Sequence, residues 1–196
     1  MARVGWTGTV ASAATRRDVA KLLMAAMAVT AAGAHTPYGQ WTVYRQRNLF
    51  VVASRTDAKA LDLARSLAGG LALELPESRA RATRASDPVR IASLLATGQL
   101  DVAVVSLDEA SGMIAGAGVY KAIGPVPLRA LARLGNHLLV TTESFKKRHA
   151  YLLAAAVEHL RPSLPGAAAG MSTERAAIPD HSGAAAYRSG QPLPGP

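Results

Sequence analysis

From residue 48 the apolar and polar positions follow two alternating periods. The run NLFVVAS (48–54) is short, apolar and β-branched, and it ends in a polar residue, which predicts a buried strand. From Asp57 the period lengthens. Ala60, Leu63, Ala64, Leu67 and Leu71 recur at three- and four-residue intervals, the pattern of one buried helix face. Asp57 or Thr56 caps the start of this helix, and Pro76 lies beyond its end. The stretch SRARATRAS (78–86) predicts a second strand, with Arg79, Arg81 and Thr83 on one side and Ala80, Ala82 and Arg84 on the other. Ser86 or Asp87 then caps a second helix that has Pro88 at its first position, Ile91, Leu94 and Leu95 on its apolar face, and Gly98 after its last turn. DVAVVS (101–106) is the clearest strand of the chain.

Strand, helix, strand, helix, strand in this order predicts an α/β protein built on a parallel sheet with right-handed crossovers and helices covering it. Functional loops of such sheets lie at the carboxyl ends of the strands. Here those are Ser54-Arg55-Thr56, Ala85-Ser86-Asp87 and Ser106-Leu107-Asp108. After a Gly- and Ala-rich stretch to Gly118, residues 126–145 predict one or two further strands. Residues 147–160 predict a helix with Tyr151, Leu152, Ala155 and His159 near one face. From Arg161 the chain is rich in Pro, Gly, Ala and Ser with little periodicity, which predicts an extended or mobile tail.

The N-terminal stretch has a different character. Arg16, Arg17 and Lys21 precede an uncharged, Ala-rich run from Leu22 to Ala34, and Ala32-Gly33-Ala34 is an A-x-A cleavage site. Those are the three parts of a secretory signal, and the run falls short of the roughly 20 apolar residues a spanning helix requires. Thr15-Arg16-Arg17-Asp18-Val19-Ala20-Lys21 resembles the twin-arginine export motif, with Val19 and Ala20 at positions that are usually aromatic and leucine. The division that follows is an export signal (1–34), a linker (35–48), an α/β domain (49–160) and a Pro/Gly/Ala-rich C-terminal segment (161–196). It places the protein in the periplasm or another extracytoplasmic space, exported already folded by the twin-arginine machinery. Two alternatives stand beside it. One is an ordinary amphipathic helix of a cytosolic protein, and the other is an uncleaved anchor, with Trp41, Tyr44, Arg45 and Arg47 at a membrane interface.

Composition narrows the chemistry. The chain carries 22 Lys and Arg against 13 Asp and Glu, a net charge of +9, which favours anionic partners or an anionic surface. With no cysteine there is neither a disulfide framework nor a Cys-ligated metal. Two Phe and two Trp are few for the stacking platforms that single-stranded nucleic acids require, so no nucleic-acid partner is expected. No phosphate-binding loop, dinucleotide fingerprint, H-E-x-x-H, EF-hand or G-x-S-x-G sequence occurs, and the five histidines lack metal-ligand spacing. The expectation is a non-enzyme with no catalytic residues, metal or cofactor. The most suggestive local chemistry is Ser54-Arg55-Thr56 before a helix N-terminus, where N–H groups, hydroxyls and a guanidinium attract a carboxylate. The alternative for those residues is a capping loop with a solvent-facing arginine.

Three stretches carry a resemblance. SLLATGQLDVAVVSLDEA (93–110) looks like a recurring helix, G-x-L-D turn and strand of type II periplasmic solute-binding proteins. LLVTTESFKKRHAYLLAAAVEHL (138–160) resembles the late strand and helix of the TAXI branch, the solute receptors of TRAP-type transporters. IPDHSGAAAYRSGQPLP (178–194) resembles the closing segment of that branch. The resemblance implies the α/β lobe of a type II binding protein with the second lobe largely missing, because the stretch between DVAVVS and HLLVTT is too short to hold one. It implies a small anionic solute such as an organic acid, held by Ser54, Arg55, Thr56, Ser86, Ser106 and Asp108, and a membrane transporter or sensor as partner. It also implies that His181 and Tyr187 dock the tail. The alternative function is a periplasmic accessory or protein-interaction factor that has lost ligand clamping.

Overall fold

The computed structural model describes residues 48–167 and 178–195. The signal motif at Arg16 and Arg17, the cleavage site at Ala32 and Ala34, and nearly all of the linker lie outside the described residues. Strand β1 (Phe50–Ser54) leads through helix α1 (Ala58–Glu74) to β2 (Arg81–Ala85). Helix α2 (Pro88–Ala96) follows, then β3 (Val102–Ser106) and α3 (Leu107–Ala115). Strands β4 (Leu128–Leu134) and β5 (His137–Thr142), helix α4 (Lys147–Leu160) and helix α5 (Ser182–Arg188) complete the order.

The strands form one sheet in the order β2-β1-β3-β5-β4. β1 pairs in parallel with both β2 and β3, whereas β5 runs antiparallel to β3 and to β4. The three strands of the β-α-β-α-β order are parallel as expected, and the two later strands make the sheet as a whole mixed and not purely parallel. Only Gly135 and Asn136 separate β4 from β5, and so short a connection permits an antiparallel hairpin but no crossover. Gly135 supplies the turn with its positive φ of 61°.

Period-two alternation sorts the strand residues onto two faces. Val51, Ala53, Val102, Val104 and Leu139 pack with α1, α4 and α5. Val52, Ala103, Val105, Leu138 and Val140 pack with α2 and α3. The register of β4 shifts between Ala130 and Ala132, so Leu128 and Ala130 serve the second face while Leu131 and Leu134 serve the first. β2 lies at the sheet's margin with Arg81 to Arg84 exposed, and of the predicted stretch only Ala80, just before it, and Ala85, at its end, are buried.

α1 buries the face its spacing predicts: Ala60, Leu63, Ala64, Leu67 and Leu71. α4 spans the predicted residues but turns inward Ala150, Leu153, Ala154, Ala156 and Val157, leaving Tyr151, Leu152, Ala155 and His159 less buried. The apolar pattern does not predict α3, because its Gly and Ala content hides the period. Its signal is a capping box. Ser106 Oγ accepts the Glu109 N–H at 3.2 Å, and the Glu109 carboxylate accepts the Ser106 N–H at 2.9 Å.

The closing segment overturns the expectation of an extended tail for residues 178–195. Its backbone meets β4, with Ala130 N–H donating to Pro179 O and His181 N–H donating to Ala130 O, both at 2.9 Å. Then α5 lies on α4 so closely that a Cβ on Gly183 would sit 2.1 Å from Lys147 O, which restricts this position to glycine. Tyr187 meets Tyr151 edge to face at 5.4 Å. The Tyr151 hydroxyl donates to Gln191 O, and Arg148 donates to Pro194 O. His181 and Tyr187 thus dock the tail as their motif implied.

His181 is the centre of that docking. It is 2% exposed, its Nδ1 accepts the Gly183 N–H at 3.1 Å, and its Nε2 therefore carries the proton and donates to Phe145 O at 2.9 Å. Burial pushes the imidazole below its ordinary pKa of 6.5 against the opposing pull of the Phe145 carbonyl and Glu143, with Arg129 assisting. A depressed basic group binds its proton more readily in the unfolded chain, so its contribution to stability is complete above 6.5 and is lost as pH falls through the folded value. Denaturant unfolding across pH 7.5 to 4.5 should show this loss in the native chain. The step should be absent in His181→Gln. His181→Ala should cost on the order of 2 kcal/mol, because it leaves a buried donor and acceptor unpaired.

Candidate functional site

The order of the strands creates a division at the carboxyl ends. From β1 the chain leaves into α1, which belongs to the first face, and from β3 it leaves into α3, which belongs to the second. Loops that depart to opposite faces make this the switch point of the sheet, the location where α/β sheets bind ligands in a crevice. The β1–β2 register pairs Ser54 with Ala85, and the β3–β5 register pairs Ser106 with His137. Ser54, Ser86, Ser106 and His137 consequently lie along one end of the sheet.

The loop after β1 is tightly organised. Ser54 is 1% exposed, its hydroxyl lies 2.7 Å from Thr56 Oγ1, and it accepts the Thr56 N–H at 3.2 Å. Arg55 donates its backbone N–H to Ala85 O while its side chain is exposed and makes no ion pair with any described residue. Asp57 caps α1 by accepting the Ala60 N–H at 2.9 Å through Oδ1. Its Oδ2 lies 2.9 Å from His137 Nε2, in a pair whose side chains are 23% and 12% exposed. Burial pushes the Asp57 carboxyl up. The Ala60 N–H, the His137 hydrogen bond and charge, and the Lys59 N–H outweigh it and hold the group below 3.8, as a carboxylate.

Of the six predicted ligand residues, Ser54, Arg55 and Thr56 share this loop. Ser86 is exposed one position beyond β2 and donates to Asp87 at 2.6 Å. That bond, with the Arg90 N–H, holds the Asp87 carboxyl low. Ser106 is half-buried and engaged in the α3 capping box, and Asp108 is exposed in the first turn of α3. The sheet end therefore presents a carboxylate at the start of each of its three helices: Asp57 at α1, Asp87 at α2, and Asp108 with Glu109 at α3. Each offsets the partial positive charge of its own helix N-terminus. The group beside these caps that is able to pair with a carboxylate is the exposed Arg55 guanidinium, and the caps themselves are hydrogen-bond acceptors.

His137 is the residue that the sequence did not single out. Its partner lies 80 residues earlier, so no local motif joins them; the only local sign is its place directly after a Gly-Asn hairpin turn. Among the described residues, no three His, Asp or Glu side chains converge as a metal site, and no helix is long and apolar enough to cross a membrane. No protein-family model and no curated protein sequence matches this chain.

The Asp57 pair defines a test of how the crevice is held. Asp57→Ala removes both the cap and the tie to β5 and should cost about 1–2 kcal/mol. Asp57→Asn keeps an acceptor for Ala60 and should cost less. Because the Asp57 pKa is depressed, its contribution is present above 3.8 and is lost as pH falls through the lower folded value. A double-mutant cycle with His137→Ala, read by denaturant unfolding at pH 7 and again at acid pH, separates cap from pair.

Proposed function

We propose that this protein is an exported solute-binding lobe of the type II kind, related to the TAXI receptors of TRAP transporters. It takes a small organic acid at the carboxyl ends of β1, β2 and β3. The observation that carries the reading is Arg55: an exposed guanidinium without an ion pair among the described residues, beside the Ser54 and Thr56 hydroxyls at the sheet's switch point. A solute carboxylate pairs with Arg55, and hydroxyl or ammonium groups on the same solute donate toward the acidic helix caps. Hydroxy acids and amino acids fit better than simple monocarboxylates. A membrane transporter or sensor subunit receives the loaded lobe, and no covalent chemistry, metal or cofactor enters the process. The second lobe of the full receptors is largely missing, so the solute is held on one lobe and not clamped between two. The protein-interaction reading asks for a contiguous exposed apolar patch. Among the described residues the large apolar side chains that stand exposed are Leu73, Val119 and Leu193, which belong to three separate segments and lend it no support.

The first measurement is a thermal-shift panel of hydroxy acids, amino acids, monocarboxylates and inorganic anions, with Arg55→Ala alongside. A ligand at about one hundred times its dissociation constant stabilises the fold by roughly 2.7 kcal/mol. The expected result is a shift confined to a subset of carboxylates and abolished in Arg55→Ala; a cooperative transition that no compound moves refutes the reading. Export is tested separately. A reporter fused behind residues 1–40 should leave the cytoplasm, fail to do so when Arg16 and Arg17 are both replaced by Lys, and begin at His35 after processing.

A further inference from the structure

At the opposite end of the sheet, roughly 15 Å along β1 from the carboxyl-end crevice, lies a cavity of about 920 Å³. That volume is in the range of small-molecule sites, about 300–1,000 Å³. Its apolar lining includes Leu49 before β1, Leu100 before β3, and Phe145, Leu152 and Leu153 at the start of α4. Three carboxylates share the lining: Glu74 and Glu77 around the end of α1, and Asp101 at the entrance to β3. Lys146 and His149 are the basic side chains there. In a chain of net charge +9, this is a local excess of negative charge.

Backbone polarity has the same sign. α1 ends at Glu74 and α2 ends just before Gly98, so two helix C-termini border the cavity, and neither helix has a basic residue in its last turn. Their partial negative charges therefore lack a basic side chain of their own helix, against one helix N-terminus, that of α4. The Asp101 backbone is fixed by the Thr141 hydroxyl, which donates to its carbonyl at 2.6 Å, while its carboxylate forms no ion pair among the described residues. Asp101 is exposed by surface area, yet burial pushes its carboxyl above the ordinary range, with the His149 charge opposing. Both facts hold for a carboxylate that opens onto a concavity: it has free surface but is surrounded by protein. In the same wall, Ser78 Oγ is buried with no hydrogen-bond partner among the described residues.

We infer that this cavity is a second binding site, for a small organic ammonium with an apolar body, its charged head toward Asp101 and its body on the leucine and phenylalanine lining. An ammonium head neutralises the local excess charge, whereas a carboxylate of the same shape meets three like charges. The site is independent of the Arg55 crevice and selects the opposite charge.

Calorimetric titration of the full chain with phenethylammonium at pH 7.5 tests this, with 3-phenylpropionate as the anionic counterpart of similar shape. Saturable binding of the ammonium is expected, with at least tenfold weaker binding of the carboxylate. Asp101→Asn should weaken ammonium binding tenfold or more, and Glu77→Gln, at an exposed position, should weaken it severalfold, both with cooperative melts like that of the native chain. Arg55→Ala should leave it unchanged. Absence of saturable binding, equal affinity for the carboxylate, or a loss in Arg55→Ala as large as in Asp101→Asn overturns the inference. The Arg55 variant also keeps the two sites distinguishable, since it removes the organic-acid response and spares this one.

Discussion

Burial of the central strands on both faces is the constraint on which everything else depends. Val102, Ala103, Val104 and Val105 of β3 are all fully buried, as are Val51 and Ala53 of β1 and Leu138, Leu139 and Val140 of β5. Each such valine or leucine contributes roughly 1.5–3 kcal/mol when removed from water, and alternate residues commit that stabilisation to opposite helical layers. A strand with no solvent face cannot slip by one residue without exchanging what the two layers contact. This fixes the register of β1 against β3, and it also fixes where each strand must stop being apolar. Ser54 and Ser106 stand at those points, and the hydroxyls at the crevice are in place because the core ends there.

The same constraint explains what was legible in the sequence. Strands buried on two faces appear as unbroken apolar runs, so β1 and β3 were readable, and α1, covered on one face, showed its helical period. β2 carries no comparable burial: of its alternating stretch only Ala80 and Ala85 reach the core, so the alternation marks no continuous buried face. α3 is hidden because Gly112, Ala110 and Ala115 dilute its apolar period, and the sign of its start is the capping box from Ser106 to Glu109. At the candidate site, Ser54, Arg55 and Thr56 are contiguous and so were visible together. The His137–Asp57 pair depends on β5 being inserted beside β3, a consequence of sheet order that no local pattern carries.

Composition misled most at the C-terminus. Pro, Gly and Ala suggested a segment unable to bury enough surface to order itself, yet residues 178–195 are ordered by few large side chains. Small residues achieve this through proximity. Gly183 lets α5 approach the backbone of α4, and Ala184 and Ala186 then become buried. The polar groups that this closeness traps are satisfied by one residue, His181, which bonds the α5 amino end on one ring nitrogen and the β5–α4 loop on the other. Arg188 and Arg133 converge on Asp180 at 3.1 and 3.5 Å and join the segment to β4. A tail read as disordered from its lack of bulky residues is held by the contacts that only small residues permit.

The helices α1, α2 and α3 give the sheet an electrostatic direction, because each begins at the carboxyl end of the strand it follows. At that end the N-terminal partial charges are matched by Asp57, Asp87 and Glu109, each bonded to backbone N–H groups of its own helix start. At the other end, the C-termini of α1 and α2 meet no basic residue of their own last turn. Compensation on one side only leaves the two ends unlike. The carboxyl end is locally neutralised, with the exposed Arg55 guanidinium beside it. The amino end keeps the field of its helix termini and adds Glu74, Glu77 and Asp101 to it. Since Coulomb attraction in a concavity is less screened than on an open shelf, the stronger charge preference of this chain belongs to the amino-end cavity and is for cations, despite the net positive charge of the whole.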